Sequence, residues 1–254
     1  MRFVKTSLEI TLEQFNRSIL LLGEDTIKSF QKLRVAVVGL GGVGSYAAEA
    51  LCRAGIGRFL LVDFDVVNLT NLNRQLLATH DAIGKAKTEL MQERLLAINP
   101  KVEIEIHNVF CALENRAEII KDVDYVVDAI DSLGPKIGLI EYCIKSGIKI
   151  ISVMGAGNRL DPSQIKIADI ADTHNCPLAK RVRKFLRRRG IAKGLTCVFS
   201  TEQAMLPEED EDTPDEIIMH RGRQRKTVGS ISYMPAIMGM TAASWIIRNA
   251  MIKV

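Results

Sequence analysis

A chain of 254 residues, 47% hydrophobic and 25% charged, is long enough for one α/β folding unit with a substantial core and has a globular composition, which excludes a disordered or low-complexity class. Its formal net charge of +4 is too small for wholesale binding to a polyanion, so any nucleic-acid contact must come from a local patch. Five cysteines form no CxxC pair, which excludes a zinc ribbon and a thioredoxin-like redox pair, and the charged opening "MRFVKTSLEITLEQFNRS" lacks the apolar stretch of a signal peptide, so a cytoplasmic location is expected.

Residues 8–31 read as short helical pieces, with Glu13, Phe15, Ile19 and Leu20 in helix-like spacing. The pattern then switches. Residues 34–39 form a β-branched run, 43–54 a helix, 58–63 a second strand, and 85–98 a helix ended by Asn99 and Pro100. "KVEIEIHNV" alternates like an outer strand, while "VDYVVDAID" and "IKIISVMG" read as buried strands flanking a helix over 135–146. Strands alternating with helices predict an α/β fold, a Rossmann-like, mainly parallel sheet with helices on both faces. "DPSQIKIADI" then predicts an antiparallel extension, 177–189 a basic helix, and "LTCVFS" a further strand.

Residues 202–230 hold an acidic run (208–212) and a basic run (221–226) and read as a mobile loop. The 17 uncharged residues 231–247 fall short of the roughly 20 that a spanning helix needs, and Pro235 and Gly239 interrupt them. A C-terminal core helix is expected, with peripheral membrane contact as the alternative. The chain as a whole is expected to be one unit, with helices to residue 32, a nucleotide-binding core over 33–157, and a substrate-facing extension over 158–254.

Gly39, Gly41 and Gly44 make GxGxxG between a strand and a helix, where the backbone can approach a phosphate and the helix N-terminus offers free N–H groups. Asp63 falls at the tip of the second strand and can accept ribose hydroxyls. These features alone suit a nicotinamide or flavin cofactor equally well. The continuation shifts the balance, since Asn71 and Arg74 follow the strand tip, Lys87 opens the next helix, and Asp131 follows the fourth strand. All four belong at the carboxyl edge of a parallel sheet. Two cations and a second carboxylate there suit a triphosphate with Mg²⁺, the cations neutralising phosphate oxygens and Asp131 holding the metal. Gly42, Asp65, Thr70 and Ser132 complete the candidate ATP-binding set.

With "GLGGVGS", "LVDFDVVNLTNLNRQ", "GKAK" and "DAIDS" in that order over residues 12–155, the sequence resembles the ubiquitin-activating-enzyme-like family of bacterial adenylyltransferases. The resemblance implies activation of a carboxylate as an acyl adenylate, with Asp63 on the ribose, Asn71, Arg74 and Lys87 on phosphates, and Asp131 on Mg²⁺. It also implies an arginine supplied by a partner subunit, which "FNRSILLLG" places at Arg17, and hence a homodimer with Arg17 acting in trans. Arg17, Arg74, Lys87 and Asp131 are the catalytic candidates.

Family members that activate a sulfur-carrier protein commonly hold zinc with two CxxC pairs, which this chain lacks. Its helix "PLAKRVRKFLRRRG" instead carries seven Lys or Arg within 180–189, namely Lys180, Arg181, Arg183, Lys184, Arg187, Arg188 and Arg189. Leu178, Val182, Phe185 and Leu186 are expected on its packing face, and "HRGRQRK" adds Arg221, Arg223, Arg225 and Lys226. A dense basic patch suits a nucleic-acid backbone, and without interleaved aromatics it is expected to read RNA shape rather than bases. "HNCPLAKRVRKFLRRRGIAKGLTCVFSTEQ" and "GSISYMPAIMGMTAASWII" resemble the threonylcarbamoyladenosine-dehydratase branch of the same family. That resemblance implies a tRNA substrate whose threonyl carboxylate is adenylated and then closed into a ring by the adjoining carbamoyl group.

Two alternatives remain at this level. One is an adenylyltransferase for a sulfur-carrier protein, with a sulfur-transfer partner. The other is a non-catalytic, nucleotide-responsive RNA-binding protein. A dehydrogenase is the weakest reading, since no acid or base for hydride transfer stands out. Cys176 and Cys197 are candidates for an exposed or catalytic thiol, with buried thiols as the default, and His80, His107, His174 and His220 show no metal-binding spacing.

Overall fold

The runs RVAVV, RFLLV, YVVD and KIISV carry no polar alternation, as expected of strands covered on both faces. In the computed structural model, which describes residues 13–205 and 228–251, they form the middle of a seven-stranded sheet. Helices α1 (Asn16–Leu22) and α2 (Glu24–Phe30) precede β1 (Arg34–Val38), α3 (Gly44–Arg53), β2 (Arg58–Val62), α4 (Lys87–Ile98) and β3 (Glu103–His107). The chain continues through α5 (Arg116–Ile119), β4 (Tyr125–Asp128), α6 (Leu133–Lys145), β5 (Lys149–Val153), β6 (Ile165–Asp169), α7 (Pro177–Arg187), β7 (Thr196–Ser200) and α8 (Tyr233–Ala250).

The strand order is β3-β2-β1-β4-β5-β7-β6, parallel throughout except for β6, which runs antiparallel to β7. The chain winds outward from β1 to β3, returns to β4 on the other side of β1, and winds outward again. Strand order therefore reverses between β1 and β4, which opens a crevice at their carboxyl ends.

Alternate side chains of each strand feed two cores. Val35, Val37, Phe59, Leu61, Val127 and Ile151 pack under α2, α3, α4 and α8, while Ala36, Val38, Leu60, Val126, Ile150 and Phe199 pack under α6 and α7. The edge strand β3 keeps its alternation, with Ile104 and Ile106 against the first core and Glu105 paired outward with Arg34 and His107.

Element ends differ from the expected ones for local reasons. α6 begins at Leu133, so Pro135 falls in its first turn, where the missing N–H is harmless. α4 begins at Lys87 because Ala86 forms a bridge to Val66 first. α7 ends at Arg187, two residues short of the expected limit, with Arg188 and Arg189 closing the turn. The expected loop over 206–227 lies outside the described residues.

α8 is a core helix, as expected. Met234, Met238, Ala242, Ala243 and Ile246 are buried, and no helix among the described residues is long and apolar enough to cross a membrane. Its closest approach is to the start of α3, where a Cβ on Gly239 would stand 2.2 Å from the Val43 carbonyl oxygen. We predict that Gly239→Val lowers stability by about 2–3 kcal/mol, a Tm decrease of roughly 5–10 °C by calorimetry. An unchanged Tm would refute this packing.

Candidate functional site

The crevice between β1 and β4 is lined by three loops, each leaving the carboxyl end of a neighbouring strand. The glycine loop leaves β1, and its Gly39 has φ +92 with the space of a Cβ occupied by the Ala129 carbonyl oxygen at 2.7 Å. No side chain fits there, so the glycine loop lies directly on the loop after β4. Gly41, Gly42 and Gly44 carry the chain into α3, and Pro235 of α8 abuts Gly42.

Asp63 leaves β2 and is 7% exposed. Its Oδ2 accepts the Leu40 N–H at 2.5 Å and its Oδ1 accepts the Asp65 N–H at 2.9 Å, which holds the carboxylate at the back of the glycine loop. Burial pushes the Asp63 carboxyl above its ordinary value, and Lys87 with the two backbone donors opposes that shift.

Lys87 opens α4 and is buried, its Nζ 3.0 Å from Asp65 Oδ2. The expected pair of ATP contacts, Asp65 and Lys87, is thus also an ion pair. Asn71 Oδ1 caps the turn Leu69–Asn71 by accepting the Asn68 N–H at 3.1 Å, which leaves its NH₂ group as the end that can donate to a phosphate. Arg74 is half-buried and donates to the Thr70 carbonyl and the Asn73 side chain, both at 2.9 Å. Neither acceptor carries a charge, and among the described residues Arg74 has no carboxylate partner within 4.0 Å.

Asp131 is exposed in the loop after β4 and accepts the Ser132 hydroxyl at 3.1 Å. No cluster of three or more His, Cys, Asp or Glu side chains occurs among the described residues, so an all-protein metal cage is not what the loop offers. A single exposed carboxylate fits Mg²⁺, which takes one or two carboxylates and completes its shell with substrate phosphates and water.

Sequence reading missed what lies beneath this loop. Asp128 and Lys136 are both fully buried, their charges 2.9 Å apart, and Ser152 donates to Asp128 at 2.6 Å. Arg159 was also missed. It is 3% exposed and donates to the Gly155 and Gly157 carbonyls at 3.1 Å and to the Asn175 carbonyl at 2.7 Å, tying the loop after β5 to the start of α7.

Arg17 does not join this group within the chain. It is exposed on α1, and α1 begins beside Gly55, where Phe15 approaches the amino end of β2 from the far edge of the sheet. Leu20 and Leu21 on the same helix are 82% and 81% exposed.

α7 starts at the ligand edge, capped by Cys176 Sγ and joined by Arg159 to the crevice wall. Its buried face is Ala179, Val182 and Leu186, with Leu178 and Phe185 only half-buried at the margin. Lys180, Arg181, Lys184, Arg187 and Arg188 are exposed and without an ion-pair partner among the described residues. Two of the expected RNA contacts differ. Arg183 turns inward, donating to the Ile170 and Thr173 carbonyls and the Thr173 hydroxyl, because it adjoins the Ala179–Leu186 face, and Arg189 is paired with Glu141 at 2.7 Å. Arg221, Arg223, Arg225 and Lys226 lie outside the described residues.

All five cysteines are buried and free. Cys176 follows the default expectation of a buried thiol, 4% exposed because its sulfur faces back to cap α7. Burial pushes the Cys197 thiol up, and Cys143 to about 12. None is set up as a nucleophile.

The ThiF family profile matches residues 15–251. The chain is 40% identical to the tRNA threonylcarbamoyladenosine dehydratase of Bacillus subtilis (strain 168) over 242 residues, covering 94% of each chain. It is 38% identical to the protein of the same name from Escherichia coli (strain K12) over 253 residues, covering 95% of this chain and 94% of that one. The crystal structure of the E. coli enzyme in complex with ATP superposes with a TM-score of 0.85 at 37% identity, covering 94% of both chains.

Two outcomes are expected from this geometry. Adenosine affinity, measured by calorimetry so that no phosphate titrates, falls as pH drops through a point above the ordinary Asp value, because the raised Asp63 carboxyl takes up its proton and stops accepting ribose hydroxyls. Asp63→Asn weakens binding at neutral pH at least about tenfold and removes that acid limb, and a flat wild-type profile would refute the role. All five thiols stay unmodified by Ellman's reagent until the protein unfolds, and one fast-reacting thiol in the native state would overturn the burial argument.

Proposed function

The chain belongs to the ThiF family, and from that premise we propose that it is an ATP-dependent dehydratase acting on N6-threonylcarbamoyladenosine in the tRNA anticodon loop. The observation that carries this reading is the meeting, at one sheet edge, of an ATP-shaped set of residues with the start of a helix whose outer cations have no ion-pair partner among the described residues. A sulfur-carrier adenylyltransferase needs the first feature but not the second.

A carboxylate is a poor electrophile because oxide is a poor leaving group. In the proposed reaction a threonyl carboxylate oxygen attacks the α-phosphorus of ATP and the bond to pyrophosphate breaks. The carbamoyl group of the same nucleoside then attacks the acyl carbon, its proton is lost, and the original carboxylate oxygen leaves on AMP. The nucleoside loses one water. In-line transfer of this kind needs position and charge neutralisation more than a covalent catalyst.

Each residue has a matching task. Asp63 accepts the ribose hydroxyls, and the backbone of the glycine loop faces the phosphates. Arg74, with no carboxylate partner among the described residues, and Lys87, exchanging Asp65 for a phosphate, neutralise the polyphosphate. Asp131 would hold Mg²⁺, which would supply charge neutralisation at the phosphates, and Ser132 lies beside it at the nucleotide. Arg17 reaches the phosphates of a second copy in a homodimer, a reading supported by its distance from its own crevice and by the exposed Leu20 and Leu21 beside it. Lys180, Arg181, Lys184, Arg187 and Arg188 bind the tRNA backbone, and the protein works in the cytoplasm.

Incubation of threonylcarbamoyladenosine-bearing tRNA with the protein, Mg²⁺ and ATP is expected to lower the nucleoside mass by one water and release AMP. An unchanged nucleoside, with AMP formed only when a sulfur-carrier protein is added, would replace this reading by the alternative. Asp131→Ala is expected to reduce turnover at least about 100-fold with the fold intact by circular dichroism. Arg187→Glu combined with Arg188→Glu is expected to raise the KM for tRNA at least about tenfold while the KM for ATP stays constant, and equal effects on both would refute the division of labour.

A further inference from the structure

The most completely enclosed charges among the described residues lie under the loop that carries Asp131. Asp128 closes β4 and Lys136 sits one turn into α6, and both side chains have zero exposure. Their Oδ2 to Nζ distance is 2.9 Å, and the Ser152 hydroxyl, directly across the β4–β5 register, donates to the same Oδ2 at 2.6 Å. Neither charge can touch a nucleotide, a metal or tRNA from where it stands.

What the pair does touch is the peptide backbone of one residue, Ile130, from both sides. The Ile130 N–H donates to Asp128 Oδ1 at 3.1 Å, and the Ile130 carbonyl accepts from Lys136 Nζ at 2.9 Å. The preceding residue is fixed as well, since the Ala129 N–H donates to the Val38 carbonyl at 2.9 Å and its own carbonyl fills the space beside Gly39. Asp131 is the next residue along. Its carboxylate is exposed on a backbone whose last two peptide units are held by a buried ion pair and by the glycine loop.

A hydrophobic pair of the same volume would hold the helix to the sheet as well, and often better, because burying two charges has a large desolvation penalty. A buried pair of charges that grips two consecutive peptide units, one on each side of Ile130, is therefore better explained by orientation than by stability. We propose that Lys136, with Asp128, is a positioning residue for nucleotide activation, fixing the 129–131 backbone so that Asp131 meets the metal of a metal–nucleotide complex. The inference rests on the reading of Asp131 as the Mg²⁺ ligand for bound ATP.

The test is ATP binding by calorimetry, with and without Mg²⁺, so that no turnover and no tRNA enter the measurement. Lys136→Met alone would strand a buried carboxylate, so the informative protein combines Lys136→Met with Asp128→Asn, which removes both charges together and keeps a side-chain oxygen at position 128 to accept the Ile130 N–H. We expect this variant to bind ATP in EDTA like the wild type, through Asp63, Arg74 and Lys87, and to lose at least about tenfold of the tightening that Mg²⁺ brings. In an Asp131→Asn background, where the metal contact is already gone, the same two changes should add nothing.

An undiminished response to Mg²⁺ in the folded variant would overturn the proposal. So would a loss of metal-free ATP affinity equal to the loss with metal, or an undiminished effect in the Asp131→Asn background, since either would mark general damage to the fold. If the double variant does not fold, Ser152→Ala serves, since it removes one bond to Asp128 without altering charge. It is expected to lose part of the Mg²⁺ response, about threefold, and no loss would overturn the proposal. A wild type that binds no ATP at all would instead fail the proposed function.

Discussion

Everything at the candidate site depends on a backbone contact between two loops that are far apart in sequence. The reversal of strand order between β1 and β4 leaves the ends of two adjacent parallel strands with connections departing in opposite directions, and the resulting crevice is only as well defined as the loops beside it. Here the Ala129 carbonyl occupies the space of a Gly39 side chain, and the Ala129 N–H returns to the Val38 carbonyl. The glycine loop and the loop bearing Asp131 cannot shift independently. In the proposed reading, a phosphate on one and a metal on the other would be kept in register by main-chain atoms, which are less adaptable than side chains and for that reason better at pre-organisation.

Charge is distributed around this contact according to task. The groups that shape the crevice have their charges compensated within the protein, as with Asp128 and Lys136, or are held by backbone donors, as with Asp63. The groups facing a ligand are less fully satisfied. Arg74 leans on two neutral oxygens, and among the described residues Lys87 is ion-paired with Asp65, which is itself 42% exposed. A polyphosphate entering the crevice as proposed would meet cations already ordered and, among the described residues, only partly neutralised, so little reorganisation would oppose its binding. In the proposed reading the outer face of α7 would extend the same logic to a longer polyanion, with five cations standing in solvent and two others, Arg183 and Arg189, holding the helix in place.

The fold was legible because its strands and helices obey different periods and because GxGxxG occurred where a strand gave way to a helix. The residues at strand tips were legible for the same reason, since position along a parallel strand determines which edge a residue occupies. Contacts made across the sheet were not. Lys136 lies in "SLGPKIGLI", where nothing local distinguishes a buried ammonium from a solvated one, and its partners arrive from β4 and from β5 through a register that only the assembled sheet defines. Arg183 was legible in principle. Ala179, Val182 and Leu186 make a stripe that Arg183 adjoins, but the small Ala179 carries little weight in an apolar count, and the stripe was drawn through Leu178 and Phe185 instead. For Cys176 the buried default was legible but its task was not, because a residue ahead of a proline gives no local sign that its sulfur caps the helix.

The burial of every cysteine bears on the kind of chemistry the crevice can support. An acyl adenylate passed to a separate acceptor needs a nucleophile brought to the site, and an enzyme thiol is the usual relay when the acceptor is slow to arrive. With Cys52, Cys111, Cys143, Cys176 and Cys197 all in the interior, no such relay stands ready. The proposed substrate removes the need, because its acceptor is covalently attached a few bonds from the activated carbon. An intramolecular attack of that kind has an effective concentration that reaches about 10⁵ M or more in well-oriented systems. The protein then has to activate the carboxylate and hold the adenylate away from water for one ring closure. A crevice of main-chain contacts, with cations only partly neutralised among the described residues and the exposed carboxylate of Asp131, would be sufficient for that work, and an exposed thiol would only add a competing acceptor.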